Sequence, residues 1–142
     1  MSIVQPYLVE ARVLDLFAGS GALGLEALSR GASSAEFVEV SASGVRAIRE
    51  NAVALGAEGA LTIHRGDAVR FVEKLAASTF DVAFADPPYG QGLARAVAER
   101  WLEVPFARRL GIEHSTKDAM PPGDTRKYGT TAITFYSLTP SP

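Results

Sequence analysis

Four consecutive residues, Asp86-Pro87-Pro88-Tyr89, set an acid, two prolines and an aromatic directly after the apolar run Phe80-Asp81-Val82-Ala83-Phe84-Ala85. Proline fixes φ and has no N–H, so such a loop presents carbonyl acceptors rather than backbone donors. The carboxylate adds acceptor capacity, and the tyrosine ring adds a stacking surface. A flat group carrying an NH2, such as the exocyclic amine of a nucleobase, suits this face.

A second segment, Asp15-Leu16-Phe17-Ala18-Gly19-Ser20-Gly21-Ala22-Leu23-Gly24, follows another apolar run and carries G-x-G-x-x-G at Gly19, Gly21 and Gly24. Glycine permits a tight turn and close approach of a ligand to the backbone. Dinucleotide-binding folds use the same spacing, so the motif alone does not choose the ligand. Two features do. Asp15 stands four residues before Gly19, and a carboxylate in a mostly buried strand is costly without a partner. The cationic amine of S-adenosylmethionine would be such a partner. If Asp86–Tyr89 is the reaction site, the glycine turn also has no pyrophosphate to hold. Phe17, Ala18 and Ser20 complete the turn.

Glu39 lies 20 residues after Gly19, where an acid accepts from both hydroxyls of a ribose. That indicates a nucleoside cofactor without choosing one. Asp67, followed by Ala68, can accept from an adenine amino group, cap a helix, or do both. Asp15, Glu39, Asp67 and Asp86 then fall at the C-terminal ends of four successive strands, the edge where open parallel sheets form their ligand crevice. A cofactor turn beside an amine-accepting loop points to transfer of a methyl group to that amine.

The elements that must position these residues follow from apolar periodicity. Strands are expected at Val13–Phe17, Glu36–Val40, Leu61–Arg65 and Phe80–Ala85, and a fifth at Leu110–His114. Helices are expected from Gly21 to Arg30, with Gly31 as the stop, and from Ala42 to Gly56, with Val45, Ile48, Ala52 and Leu55 on one face. A third presents Val69, Val72 and Leu75, and a fourth places Leu93, Val97 and Trp101 in the core. Alternating strands and helices imply βαβ units and a parallel sheet covered on both faces. Asp118–Asp124 reads as a loop. Lys127–Leu138 reads as an antiparallel hairpin about Gly129 at the sheet edge, and the last four residues as a frayed end.

At 142 residues a single domain over 1–142 is expected. No run of 18 apolar residues and no signal peptide is visible, which gives a cytoplasmic expectation without membrane association. The absence of cysteine excludes disulfides, thiolate metal sites, a cysteine nucleophile and methylation of pyrimidine C5 through a cysteine adduct. His64 and His114 are too few for a His-rich metal site, and each reads as a surface or strand-end residue. The net charge of −2 provides no overall basic footprint. Basic residues do gather in the C-terminal half, at Arg95, Arg100, Arg108, Arg109, Lys117, Arg126 and Lys127. Arg126, Lys127 and Tyr128 suit either phosphate contact or an edge hairpin.

The text Arg12–Ala32, with Phe37-Val38-Glu39, Asn51, Asp67, Phe80-Asp81, Asp86-Pro87-Pro88-Tyr89 and Arg126–Thr130, resembles the class I S-adenosylmethionine-dependent methyltransferases. More narrowly it is similar to the RsmD family, which methylates guanine N2 in bacterial small-subunit (16S) ribosomal RNA. The resemblance covers nearly the whole chain. It implies a Rossmann-like, seven-stranded α/β sheet whose last strand is antiparallel. It also implies a cofactor pocket lined by Asp15, Gly19, Gly21, Glu39 and Asp67, with the base held by Asp86–Tyr89. The expected partner is ribosomal RNA or the small ribosomal subunit, and the expected state is a monomer without metal. Family members usually carry a further N-terminal stretch rich in basic and polar residues, which helps grip RNA and close over the cofactor; only about 11 residues precede the first strand here. Rival readings are amino methyltransferases of DNA, which typically add a target-recognition domain, and protein-glutamine methyltransferases, which usually have Asn where Asp86 stands. A non-catalytic nucleotide module or an NAD enzyme would leave Asp86–Tyr89 without a role.

Overall fold

The computed structural model describes residues 5–138; the expected frayed end lies outside them. Seven strands form one sheet: β1 (Arg12–Leu16), β2 (Ser34–Glu39), β3 (Leu61–Arg65), β4 (Phe80–Ala85), β5 (Ala107–Ser115), β6 (Asp124–Tyr128) and β7 (Thr131–Ser137). Their order is β3-β2-β1-β4-β5-β7-β6. β1 to β5 run parallel, whereas β7 is antiparallel to β5 and β6 antiparallel to β7. The expected hairpin therefore enters the sheet by β7, leaving β6 with every residue exposed at the edge.

Four helices cross between strands: α1 (Ala22–Ser29), α2 (Ala42–Ala54), α3 (Ala68–Glu73) and α4 (Leu93–Glu103). The sheet separates two cores. On one face Val13, Phe37, Val82 and Phe84 pack with Leu25, Ala27, Ile48 and Ala52 of α1 and α2. On the other, Leu14, Leu16, Ala83, Leu110 and Ile112 pack with Ala68 and Val72 of α3 and Val97 and Trp101 of α4. Alternation of side chains along each strand makes this division. The central strands are buried on both faces, which is why their sequences read as continuous apolar runs.

Three expectations are corrected. Leu55 was placed on the apolar face of α2, but the helix ends at Ala54 and Leu55 caps it with 60% of its surface exposed. β5 is longer than Leu110–His114 because Phe106 and Ala107 are also core residues. His114 sits near the end of its strand as expected, but it is buried, with Nε2 2.7 Å from the Thr134 hydroxyl and Nδ1 2.9 Å from the Ser115 carbonyl. Trp101 is buried and donates its indole N–H to the Ala107 carbonyl at 2.8 Å.

Candidate active site

The strand order reverses direction between β1 and β4, and an open α/β sheet has its crevice at such a switch point. The registers fix what lines it. Asp15 pairs with Phe37 on β2 and with Phe84 on β4, and Phe84 pairs with Gly111 on β5. Residues in register share a face, so Asp15 lies on the α1/α2 face. Two residues onward, Glu39, Asp86 and Glu113 fall at the C-terminal edge of that same face, while Phe17, past the end of β1 at positive φ, packs against the other core.

Asp15 is buried, and its Oδ2 accepts the Gly24 N–H at 3.0 Å. That N–H belongs to the first turn of α1, which has no side-chain cap of its own, so the strand carboxylate satisfies a donor of the helix start. Burial pushes the Asp15 carboxyl up to about 7 against the pull of the Gly24 hydrogen bond, with the negative charges of Asp86 and Glu39 adding to the rise. A buried acid in this state gains from a cation at the turn.

Gly24 faces inward. A Cβ there would meet the Phe37 ring at 2.4 Å, so glycine lets α1 lie against β2. Gly21 is buried in the turn, and Gly19 and Ser20 are exposed at its tip. Phe17 opens the turn at φ 58°, a left-handed conformation unusual for a bulky residue. The Ala18 N–H donates to the Val38 carbonyl at 3.0 Å, tying the turn to β2. Asn51 of α2 donates from Nδ2 to the Ser20 carbonyl at 3.0 Å.

Glu39 joins the turn to α2. Oε1 accepts the Gly19 N–H at 2.9 Å, while Oε2 accepts the Ser41 N–H at 2.9 Å and the Ser41 hydroxyl at 2.7 Å. Burial opposes ionisation of Glu39, but these donors outweigh it and hold the carboxyl below the usual range. Gly44 makes the position possible, since a Cβ there would meet Glu39 Cγ at 2.6 Å. Asp67 caps α3, its Oδ1 accepting the Arg70 N–H at 2.9 Å, and Ala68 is buried behind it.

A cleft of about 440 Å³ is bounded by Phe17, Glu39, Val40 and Asp86–Tyr89. In the loop Pro87 is buried, while Asp86, Pro88 and Tyr89 are exposed. The Asp86 N–H points to the Leu16 carbonyl at 3.4 Å, and the Tyr89 hydroxyl lies 3.2 Å from Thr131 Oγ1 at the start of β7. The loop is thus anchored to β1 on one side and to the hairpin on the other. A smaller pocket of about 120 Å³ lies behind it, between Pro88, Tyr89, Leu93 and Asp118.

The structure brings Asp15, Phe17, Ala18, Gly19, Ser20, Gly21 and Glu39 together with Asp86–Tyr89 around one crevice. Asp67 lies one strand further out. Sequence reasoning missed Val40, Ser41, Gly44 and Glu113. A signal existed for Glu113, an acid ending the fifth apolar run as Asp86 ends the fourth. Ser41 and Gly44 carried the pattern of a helix cap three residues before a close approach.

The family described as Conserved hypothetical protein 95 matches residues 1–137. This chain belongs to that family, the RsmD family of methyltransferases. Among relatives, it is 33% identical over 147 residues to Bacillus subtilis YlbH, provisionally named an rRNA methyltransferase, covering 95% of this chain and 80% of the relative. It is 39% identical over 90 residues to ribosomal RNA small subunit methyltransferase D of Escherichia coli K12, a stretch covering 63% of this chain and 44% of that protein. The aligned stretch is thus under half the length of that relative. Among solved structures, Escherichia coli yhhF, provisionally named a methyltransferase, superimposes with a TM-score of 0.81 at 27% identity over 95% of this chain and 79% of its own. An RNA methyltransferase from Salinibacter ruber, solved with S-adenosyl-L-homocysteine, shares the fold at a TM-score of 0.73 and 13% identity over 96% of this chain and 88% of its own. Family and fold together establish a class I Rossmann-like methyltransferase sheet.

Proposed function

We propose that this chain transfers the methyl group of S-adenosylmethionine to the exocyclic N2 amine of a guanine in small-subunit ribosomal RNA. The observation that carries this reading is the shared cleft: Asp86–Tyr89 and Glu39 bound one space, with the glycine turn hydrogen-bonded to Glu39. Membership of the family and the relatives' names support RNA as the substrate. No helix among the described residues is long and apolar enough to cross a membrane.

The donor set fits the cofactor. Asp15, a buried acid raised for lack of a cation, suits the amine of its amino-acid end. Glu39, held ionised by three donors, can trade one of them for ribose hydroxyls. Val40 offers an exposed apolar surface beside it, and Asp67 an acceptor at the next strand end. The bound group supplies an electrophilic methyl on a sulfonium sulfur.

The chain's own residues do the rest. The guanine N2 lone pair is delocalised into the ring, so the free amine is a weak nucleophile. Asp86 and the Pro87 carbonyl accept its two N–H bonds, which favours a tetrahedral nitrogen and aims its lone pair. Orientation and stabilisation of developing positive charge lower the barrier. Tyr89 stacks on the unpaired base, at a gain of about 1–3 kcal/mol.

The test is methylation of small ribosomal subunits and of naked 16S rRNA by the purified chain, with nucleoside mass spectrometry of the product. N2-methylguanosine is the expected outcome. Methyl groups on adenine N6 or cytosine N4 instead would overturn the guanine reading while leaving amine methylation in place.

A further inference from the structure

Glu113 has no place in the mechanism so far, yet its strand runs beside the one that leads to Asp86. β4 and β5 run in register from Val82 opposite Arg109 to Ala85 opposite Ile112. The next pair is Asp86 and Glu113, on one face at the crevice edge. Residues next in register on neighbouring parallel strands lie side by side, and Asp86 is the largest influence on the raised Glu113 carboxyl. From this juxtaposition we propose that Glu113 is a positioning residue for methyl transfer, making with Asp86 a two-carboxylate pair that receives the proton shed by the target amine.

The inference rests on the amine-methylation reading. As the lone pair on N2 forms its bond to the methyl carbon, the carbon–sulfur pair stays on sulfur, leaving a neutral thioether. The nitrogen then carries a positive charge and a surplus hydrogen. The N–H electron pair returns to nitrogen, and the proton passes to an Asp86 oxygen. The carboxylate pair goes from two negative charges to one, with the proton shared with Glu113, and water later removes it.

A lone carboxylate at an ordinary value holds a proton poorly at neutral pH. The contact with Asp86, then burial, then the Asp86 charge push Glu113 up to about 7, the range suited to a general base. Asp15, on the same face, also feels the Asp86 charge. Across β5, the facing β7 residues Ala132, Ile133 and Thr134 are uncharged. Helices α1 and α2 pack on β1 to β3. Arg109, lower on the same face, has its guanidinium 3.5 Å over the Tyr7 ring.

Two measurements on the full chain saturated with S-adenosylhomocysteine or S-adenosylmethionine test the pair. Carboxyl-carbon NMR of the first complex should show Glu113 titrating at about 7, in a step that Asp86→Asn moves toward the ordinary carboxylate range. Titration of Glu113 at an ordinary carboxylate value in the wild-type chain would overturn the proposal without reference to any substrate. In single-turnover methylation of small subunits, the wild-type rate should rise with pH through about 7. Glu113→Gln should slow it roughly 10- to 100-fold at pH 7.5 and flatten that rise, with cofactor affinity unchanged. An unchanged rate and profile in Glu113→Gln would also overturn the proposal. A wild-type chain that methylates neither subunits nor naked 16S rRNA would defeat the substrate reading instead, and the NMR titration would still decide the pair.

Discussion

At the N-terminal edge of the sheet, Asp81 is surrounded by basic partners. It accepts the Arg12 N–H at 2.9 Å, its Oδ2 lies 3.4 Å from Arg12 Nε, and its Oδ1 lies 3.8 Å from Arg108 Nε. Burial works against its charge, but the Arg12 hydrogen bonds and the two guanidinium groups hold the carboxyl below its usual range. At the C-terminal edge, Asp15 and Glu113 are both pushed up to about 7, and Asp86 and Glu39 add repulsion. The same strands thus carry a neutralised acid at one end and crowded acids at the other. The paired end joins β1, β4 and β5. The crowded end stores unfavourable charge that a cationic ligand relieves, which is where a binding site is expected.

The sharpest way to break this contrast is at Asp86. Asp86→Ala should reduce methyl transfer by roughly 10²–10⁴-fold while S-adenosylhomocysteine affinity, read by calorimetry, stays within a few-fold. Simultaneous loss of cofactor binding would make Asp86 structural.

Asp15 comes next. Asp15→Asn keeps an acceptor for the Gly24 N–H but removes the charge, so cofactor binding should weaken by roughly 1.5–3 kcal/mol. Its effect on stability has the opposite sign. The folded carboxyl, at about 7, binds its proton more tightly than an unfolded one near 3.8. Wild-type stability without ligand therefore declines as pH rises through that window, and Asn escapes the decline. Thermal unfolding should place Asp15→Asn several degrees above wild type at pH 8, with the gap narrowing at pH 4. A lower melting point than wild type at pH 8 would show that the charged form is not a burden.

Tyr89→Ala should raise the KM for RNA by roughly 5- to 100-fold, from the loss of one stack, and leave cofactor affinity unchanged. Equal kinetics with RNA would remove the ring from the site.

The smallest effect belongs to the opposite edge. Asp81→Ala should leave methyl transfer intact and destabilise the chain by about 1 kcal/mol, as a partly exposed ion pair does. Its lowered carboxyl contributes stability above about pH 4 that disappears as pH falls through the folded value. Denaturant unfolding should show a variant deficit at pH 7 that shrinks as pH is lowered below about 4. A loss of activity would mean that the two edges are coupled.

The sequence by itself determined most of the scaffold. β3 and β4 fall on the expected boundaries: β4, buried on both faces, is written as an apolar run, while the edge strand β3 alternates apolar and polar residues between turns. The acids at the strand ends, the glycine turn and the Asp86–Tyr89 loop were legible for the same reason, since chemistry and punctuation coincide there. Tertiary structure alone decided which acids meet. That Asp86 stands beside Glu113 depends on β4 pairing with β5 in a definite register, which is fixed by how the apolar faces of both strands pack together and not by either segment alone. Likewise Glu39 reaches Gly19 only because β2 lies next to β1 and Gly44 leaves room for its side chain. Leu55 and His114 mark the same limit: periodicity gives a residue's face, whereas its burial depends on where the helix stops and which strand lies alongside.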